Sequence, residues 1–239
     1  MRNDLPIIPD WAKREYTKKV KLHQALVKEY FKIIYFEVFV FMRNEWANQD
    51  ESKAWSKIFV WEPNLRNLIW AAAKDIDQHD SDKLDPDGLM PYYAARYAAK
   101  HGYAYPADFM ETIEKKIVSH RTNNPHHIEF YQGKLICLPH EAFAPGEEDR
   151  VTIRILDLIE MAADWAASGE EDGQDPETWF RAQYEYGSFK ITYEAACAMN
   201  YLLKAVKPFL VENCKLQRFG NNPTELNYGK QERNIRKVG

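Results

Sequence analysis

The 239-residue chain has only three cysteines, Cys137, Cys197 and Cys214, widely separated and without a C-x-x-C pair. That excludes a disulfide framework and a thiolate-held iron–sulfur cluster, and it fits a reducing compartment. Long apolar runs are missing as well. Ile33 to Met42 is interrupted by Glu37 and flanked by Lys32 and Arg43, short of the roughly eighteen apolar residues a membrane span needs. The opening MRNDLPIIPDW has two prolines and too little apolar length for a secretory signal, so a soluble cytoplasmic protein with no membrane partner is expected. Nor is there an excess of one charge. Lys and Arg total 32 against 36 Asp and Glu, a net charge of −4, which announces no nucleic-acid or membrane surface.

The charge is nevertheless uneven. Glu141 to Glu177 holds twelve acidic residues against Arg150 and Arg154, whereas Lys215 to Gly239 holds six basic residues against Glu225 and Glu232. Residues 212–239 therefore read as a basic tail, solvated by default, with phosphate or nucleic-acid contact as the alternative.

Apolar spacing of three to four residues dominates the rest, and no β-α-β rhythm is visible. Trp11 to about Trp46 reads as one long helix, basic and amphipathic at first and apolar nearly all round in its second half. Asn48 to Ser52 reads as a turn, and Lys57 to Trp61 as either helix or strand. Glu62-Pro63-Asn64 opens a helix whose face (Leu65, Leu68, Ile69, Ala72, Ala73, Ile76) leads to His79. Asp85 to Gly88 is a turn, with Asp87 an alternative cap for a helix through Tyr97. Pro106 opens a helix through Phe109, Ile113 and Ile117 to His120, which Asn123-Asn124-Pro125 breaks. Gln132 to Gly146 reads as a loop or short hairpin, Val151 to Ala167 as a helix, and Ser168 to Pro176 as an acidic turn. Glu177 to Val211 is helical with a break near Gly187. The expected class is all-α, with residues 1–211 as one helical domain.

Chemistry concentrates in dispersed imidazoles and acids. His23, His79-Asp80, His120, His126-His127 and Asp164 sit on several expected helices. Such nitrogen and oxygen donors suit Zn, Fe, Mn, Ni or Mg when they converge. Lys83 lies four residues beyond His79, on the same face if a helix continues, and could meet a phosphoryl oxygen. Asp164 is flanked by Met161, Ala162, Ala163 and Trp165. A carboxylate in that company is costly unless paired or metal-bound. Glu160 and Asp157 share its face, and Glu129 could orient a histidine from behind. Each feature has a bland counterpart: a solvated acidic helix end, a boundary histidine, a salt-bridged helix. A calcium loop around Gly88 fails, because it places Lys83 at the first ligand position and Ala94 at the closing glutamate.

The order His23, His79-Asp80-x-x-Lys83, His120, His126-His127, Asp164 resembles the HD-domain metal-dependent phosphohydrolase superfamily. It looks closest to an uncharacterised bacterial and phage group with the motifs H-D-x-S-K, H-x-x-x-N-x-H-H and E-M-x-x-D-W. Here these read HDSDK (79–83), HRTNNPHH (120–127) and EMAADW (160–165). Two departures stand out: Asp82 replaces the serine, and the distance from His23 to His79 implies an insertion at about 44–63. The resemblance implies an HD-like helical bundle with additional C-terminal helices. One or two divalent ions would be held by His23, His79, Asp80, His120, His126, His127 and Asp164, with Lys83 and Glu160 catalytic. The implied reaction is hydrolysis of a nucleotide or other phosphoester by a metal-activated water. Alternatives are a diiron oxygenase on the same helices, or a non-catalytic nucleotide-binding or assembly protein, for which the 14 Tyr, 12 Phe and 7 Trp are the motive.

Overall fold

The computed structural model describes residues 6–36, 49–62, 64–141, 149–187 and 189–213. Within them the protein is all-α: eight α-helices and a single two-stranded sheet. Helix α1 (Asp10–Tyr35) starts after Pro9, with Asp10 in its first turn, where a carboxylate favours the helix dipole. Its buried residues Ala12, Tyr16, Val20, Val27, Phe31 and Ile34 recur every three to seven positions and form one stripe.

That stripe serves two hydrophobic clusters. Tyr16 and Val20 pack with Ala94, Ala95, Phe109, Ile113 and Ile117 of α4 (Met90–Lys100) and α5 (Ala107–Asn123). Leu26, Val27, Tyr30, Phe31 and Ile34 join the larger core, built mainly on α6 (Ile155–Asp172) and α8 (Tyr193–Asn213). His23 falls between these two halves of α1.

The remaining elements close around that frame. Helix α2 (Gln49–Trp61), inside the expected insertion, packs on α8. Its fully buried Trp55 donates Nε1–H to the Ala198 carbonyl at 3.1 Å. Helix α3 (Leu65–Asp75) leads through two 3-10 turns, Ile76–Gln78 and Ser81–Leu84, into α4. Helix α7 (Pro176–Glu185) is capped by Asp175, whose carboxylate accepts from Glu177 N at 3.0 Å and Thr178 N at 3.4 Å. Gly187, at φ 67°, turns the chain toward α8, where the expected break falls.

Three local expectations change, and one that stood open between helix and strand is decided. Asn48 to Ser52 is not a turn throughout, because α2 begins at Gln49; Glu51 is buried there and accepts from Lys204 Nζ at 3.0 Å. Lys57 to Trp61 is helical, with Ala54, Trp55 and Ile58 buried at helical rather than alternating spacing. The stretch after Gln132 is not a hairpin. Strand β1 (Leu135–Cys137) pairs in parallel with β2 (Arg150–Thr152), and its Ile136 also bridges to Ile191. Helix α6 runs through Asp172, and Gly173 at φ 64° ends it. The expected continuation of the first helix beyond 36 and the basic tail from 214, with Cys214, lie outside the described residues. No described helix is long and apolar enough to cross a membrane.

Gly169 ties α6 to α7. A Cβ there would meet the Gln174 carbonyl oxygen at 2.7 Å and Pro176 Cδ at 3.2 Å, and backbone gives way less easily than a flexible side chain. Gly169→Ala is therefore expected to destabilise the protein by about 1–3 kcal/mol, read as a lower midpoint in urea denaturation with an unchanged slope.

Candidate metal centre

The seam between the two clusters is where the polar residues gather. On α1, His23 occupies the step between Val20 and Leu26. On α5, the buried stripe Phe109, Ile113, Ile117 carries on to His120 in the last turn. Asn124 closes that helix by donating its amide to the His120 carbonyl at 2.7 Å. The Tyr131 hydroxyl donates to the Pro125 carbonyl at 2.9 Å and pins the turn that presents His126 and His127. Asp164 comes from α6. His79 and Asp80 come from the link between the 3-10 turns, where Gln24 donates to the His79 carbonyl at 2.6 Å.

Asp80 has left-handed backbone, φ 54° and ψ 21°, which aspartate tolerates better than most residues. The helix from α3 therefore does not continue past His79. Lys83 reaches the site through the following 3-10 turn, three residues from Asp80, and its ammonium contacts Asp80 Oδ2.

The donors form two sets that share Asp80. In the first, His23 Nε2 is 2.9 Å and His79 Nε2 3.7 Å from Asp164 Oδ1, while Asp80 Oδ2 is 3.8 Å and 3.5 Å from the same two nitrogens. In the second, Asp80 Oδ1 is 3.1 Å from His120 Nε2 and 3.7 Å from His126 Nε2, and His127 Nε2 is 3.2 Å from His120 Nε2. Donors about 2.1 Å from one ion lie roughly 3.0–3.4 Å apart in octahedral or tetrahedral geometry. Both sets are within a few tenths of an ångström of that range, and each could hold a metal ion.

Burial sharpens the point. His79, Asp80 and His120 are each 4% exposed and Asp164 is 7% exposed. His79 Nε2, His126 Nε2 and Asp80 Oδ1 are buried without a hydrogen-bond partner, and an unsatisfied buried polar atom costs roughly 1–3 kcal/mol. His79 Nε2 faces Asp80 Oδ2 at 3.5 Å and His126 Nε2 faces Asp80 Oδ1 at 3.7 Å, an arrangement that suits cations on either side of Asp80 better than a packed core.

Carboxylates stand behind the rings. His79 Nδ1 is 2.8 Å and His126 Nδ1 3.3 Å from Glu160 Oε1. His120 Nδ1 is 2.7 Å from Asp82 Oδ2, and His23 Nδ1 is 3.2 Å from Glu171 Oε1. A protonated Nδ1 donating to a carboxylate leaves Nε2 to face the centre. Asn124 Nδ2 also lies 3.0 Å from His120 Nδ1, but a nitrogen donating to Asp82 cannot accept there as well. His79, His126 and Glu160 could themselves be grouped around an ion through the Nδ1 atoms. The unpartnered Nε2 atoms favour the other arrangement, with Glu160 as the group that orients both rings.

All seven expected ligands thus meet at one place. Of the expected catalytic pair, Lys83 faces the centre, while Glu160 sits behind two imidazoles, a position that suits orienting them rather than proton transfer. Glu129 orients no histidine; it pairs with Arg121 at 3.2 Å. Asp157 is taken by Arg154, with two contacts of 2.6 Å. Glu171 and the orienting role of Asp82 were missed. Glu171 lies exactly two helical turns, seven residues, beyond Asp164, a signal hidden by reading 168–176 as a turn.

The electrostatics follow from this crowding. Burial works against charge on His23 and His79. Asp164 and Glu171 outweigh it at His23, raising that ring to about 9. Asp164 and Glu160, with Asp80, raise His79 to about 10. Burial also opposes ionisation of Asp80 and Asp164, but their histidine partners, helped at Asp80 by Lys83, hold both carboxyls well below the usual range. Among the described residues no carboxylate stands behind His127; burial and the neighbouring His126 push it down to about 3.

Fold and site together define an all-α protein built around a buried histidine–carboxylate cluster able to hold metal. The chain belongs to DUF5662, a family of unknown function whose model matches residues 12–199, a span that includes every residue of the cluster. No curated protein and no solved structure matches the chain.

Metal-free protein at pH 7 carries protons on His23 and His79 that coordination must remove, so loading Zn²⁺ is expected to release protons and apparent affinity to rise as pH climbs toward 9. Calorimetric titrations in buffers of different ionisation enthalpy would measure the number released. Asp80→Asn keeps a residue tolerant of left-handed backbone yet removes the shared charge; elemental analysis should find it stripped of metal while its circular dichroism stays native. Glu160→Ala is expected to weaken metal affinity by about 10–100-fold.

Proposed function

We propose that the protein is a metal-dependent phosphohydrolase of the HD-domain kind, acting on a nucleotide or another small phosphoester. The observation that carries this reading is Asp80, whose two oxygens face two different sets of donors. A carboxylate so placed suits a pair of divalent ions held close together, Asp80 serving both, with His23, His79 and Asp164 on one side and His120, His126 and His127 on the other. Bound there, divalent ions supply Lewis acidity, which lowers the pKa of water toward neutrality and offsets charge on a phosphoryl group.

The chain's own groups have separable parts in this scheme. Glu160, Asp82 and Glu171 hold three faces of the site in one tautomer, so the donors need not reorganise. Lys83 stands beside Asp80 with its Nζ also 5.6 Å from the Tyr93 ring centre, close enough to neutralise a phosphoryl oxygen arriving at the centre. His127 is neutral at pH 7 and can bind without first losing a proton. The site opens on a cavity of about 430 Å³ whose wall includes Lys19, Lys83 and Arg121. That volume lies in the range of small-molecule sites; Lys19 and Arg121 lie against Glu171 and Glu129, and Lys83 is the cation placed to meet an anionic substrate at the centre.

The test is elemental analysis of protein purified without chelators, followed by assay of nucleotides and phosphoesters with the metal found. His79→Ala is expected to lose metal and activity together. Lys83→Ala is expected to keep its metal content and lose about 10²-fold or more in kcat, the scale for one transition-state charge contact. Absence of bound metal under every preparation would overturn the reading. Iron-containing protein that consumes oxygen and is inert with Mg²⁺ or Zn²⁺ would replace it with an oxygenase.

A further inference from the structure

The cavity beside the metal centre has a wall that neither metal binding nor phosphate binding uses. Trp165 follows the ligand Asp164 directly in α6, Trp179 comes from α7, and Phe189 comes from the link to α8; all three line the same space as His23, Asp80 and Lys83. Trp165 and Phe189 are stacked, 15° apart in plane with centroids 5.4 Å apart. Trp179 meets both edgewise, at 5.2 Å and 75° from Trp165 and at 5.6 Å and 65° from Phe189. Behind them Phe180, 2% exposed, packs on Trp165 at 5.7 Å and fixes the panel to the core.

These rings are only partly buried. Aromatic side chains in a core bury their faces; a fixed panel that keeps part of its surface in a cavity is a ready place for a flat apolar group. Its rigidity also matters, since little side-chain freedom remains to be lost when a ligand arrives. Elsewhere the lining carries the charge and the imidazoles, Asp80, Lys83 and His127 among them, interspersed with Tyr16, Val20, Tyr93 and Ile128. The cavity therefore has two ends of contrasting chemistry, one for an anion and one for a ring.

From this we infer that the substrate is a phosphoester carrying a planar aromatic ring, with the ring held against Trp165, Trp179 and Phe189 while its phosphate meets Lys83 at the metal centre. This rests on the phosphohydrolase reading and adds the part of the substrate that does not react. Trp179 and Phe189 are specificity-determining residues: they bind the ring and touch no reacting atom. The ring can be a nucleobase, spaced from phosphate by a sugar, or an aryl group attached to phosphate directly.

The experiment uses full-length, metal-loaded protein with three probes: AMP, phenyl phosphate and ribose 5-phosphate. A ring-bearing probe is expected to exceed ribose 5-phosphate by about tenfold or more in kcat/KM, the scale of base–aromatic stacking, with the difference in KM. Preference for AMP identifies a nucleobase and preference for phenyl phosphate an aryl ester. The preferred probe should also quench tryptophan fluorescence where ribose 5-phosphate does not. Trp179→Ala should shrink the preference toward one, and Trp179→Phe should restore it, which a merely structural role would not do. Equal handling of all three probes, with equal quenching, would overturn the inference while leaving the hydrolase reading intact. Turnover of none would sink the hydrolase reading, and the quenching comparison would then decide on its own whether the panel binds rings.

Discussion

The arrangement depends on one constraint: Asp80 is buried, charged and shared. Each of its oxygens faces a different set of imidazoles, and its left-handed backbone lets it stand beside His79 without continuing a helix. A buried carboxylate is tolerated only when cations or donors surround it. The segments that meet here, α1, the 3-10 link, the end of α5 with its following turn, and α6, are the ones that provide them. Satisfying that carboxylate fixes how the two hydrophobic clusters abut.

Much of this was legible from residue types and spacing. The stripe through Phe109, Ile113 and Ile117 pointed at His120, and the apolar neighbours of Asp164 implied that it faced inward; both are buried. The helical class followed from three-to-four periodicity, which is a local signal. What stayed hidden depends on partners distant in sequence. Glu171 belongs to the site because α6 runs one turn further than composition suggests, and Gly173 rather than Ser168 ends it. Asp82 looked like a departure from a motif, yet its carboxylate takes up the Nδ1 of His120 across 38 positions. Glu160 shared a helical face with Asp164, but only the fold reveals that it stands behind the rings of His79 and His126. The helix at α2 was obscured for a similar reason: Glu51 reads as a turn residue until Lys204 of α8 is placed beside it.

Position on the seam gives the site an unusual mechanical setting. His23 is carried by the same helix whose two halves pack into different clusters, and its ring is held by Glu171 and Asp164 of α6. The orienting acids come from other elements again: Asp82 from the 3-10 turn, Glu160 and Glu171 from α6. Rigid helices carrying both donors and their orienting groups hold a binding geometry better than loops do. Two parts of the cluster sit on irregular backbone: His79 and Asp80, whose link Gln24 holds through the His79 carbonyl, and His126 and His127, whose turn the Asn124 and Tyr131 hydrogen bonds pin.

The charge balance explains how such a centre can fold before any ion arrives. Five acids, Asp80, Asp82, Glu160, Asp164 and Glu171, crowd the seam, and alone they would repel one another strongly in a medium less polar than water. Lys83 and protonated His23 and His79 offset much of that charge, and Asp80 and Asp82, against burial, shift His120 toward its charged form as well. On the proposed reading, His23, His79, Asp80, His120, His126, His127 and Asp164 would hold divalent ions that take over that task, with the imidazole protons released on binding. With Asp80 engaged as a ligand, the Lys83 ammonium, which lines the cavity, would be available to a substrate's negative charge. On that reading the lysine that pairs with Asp80 within the cluster would also be the group that meets the substrate's phosphate.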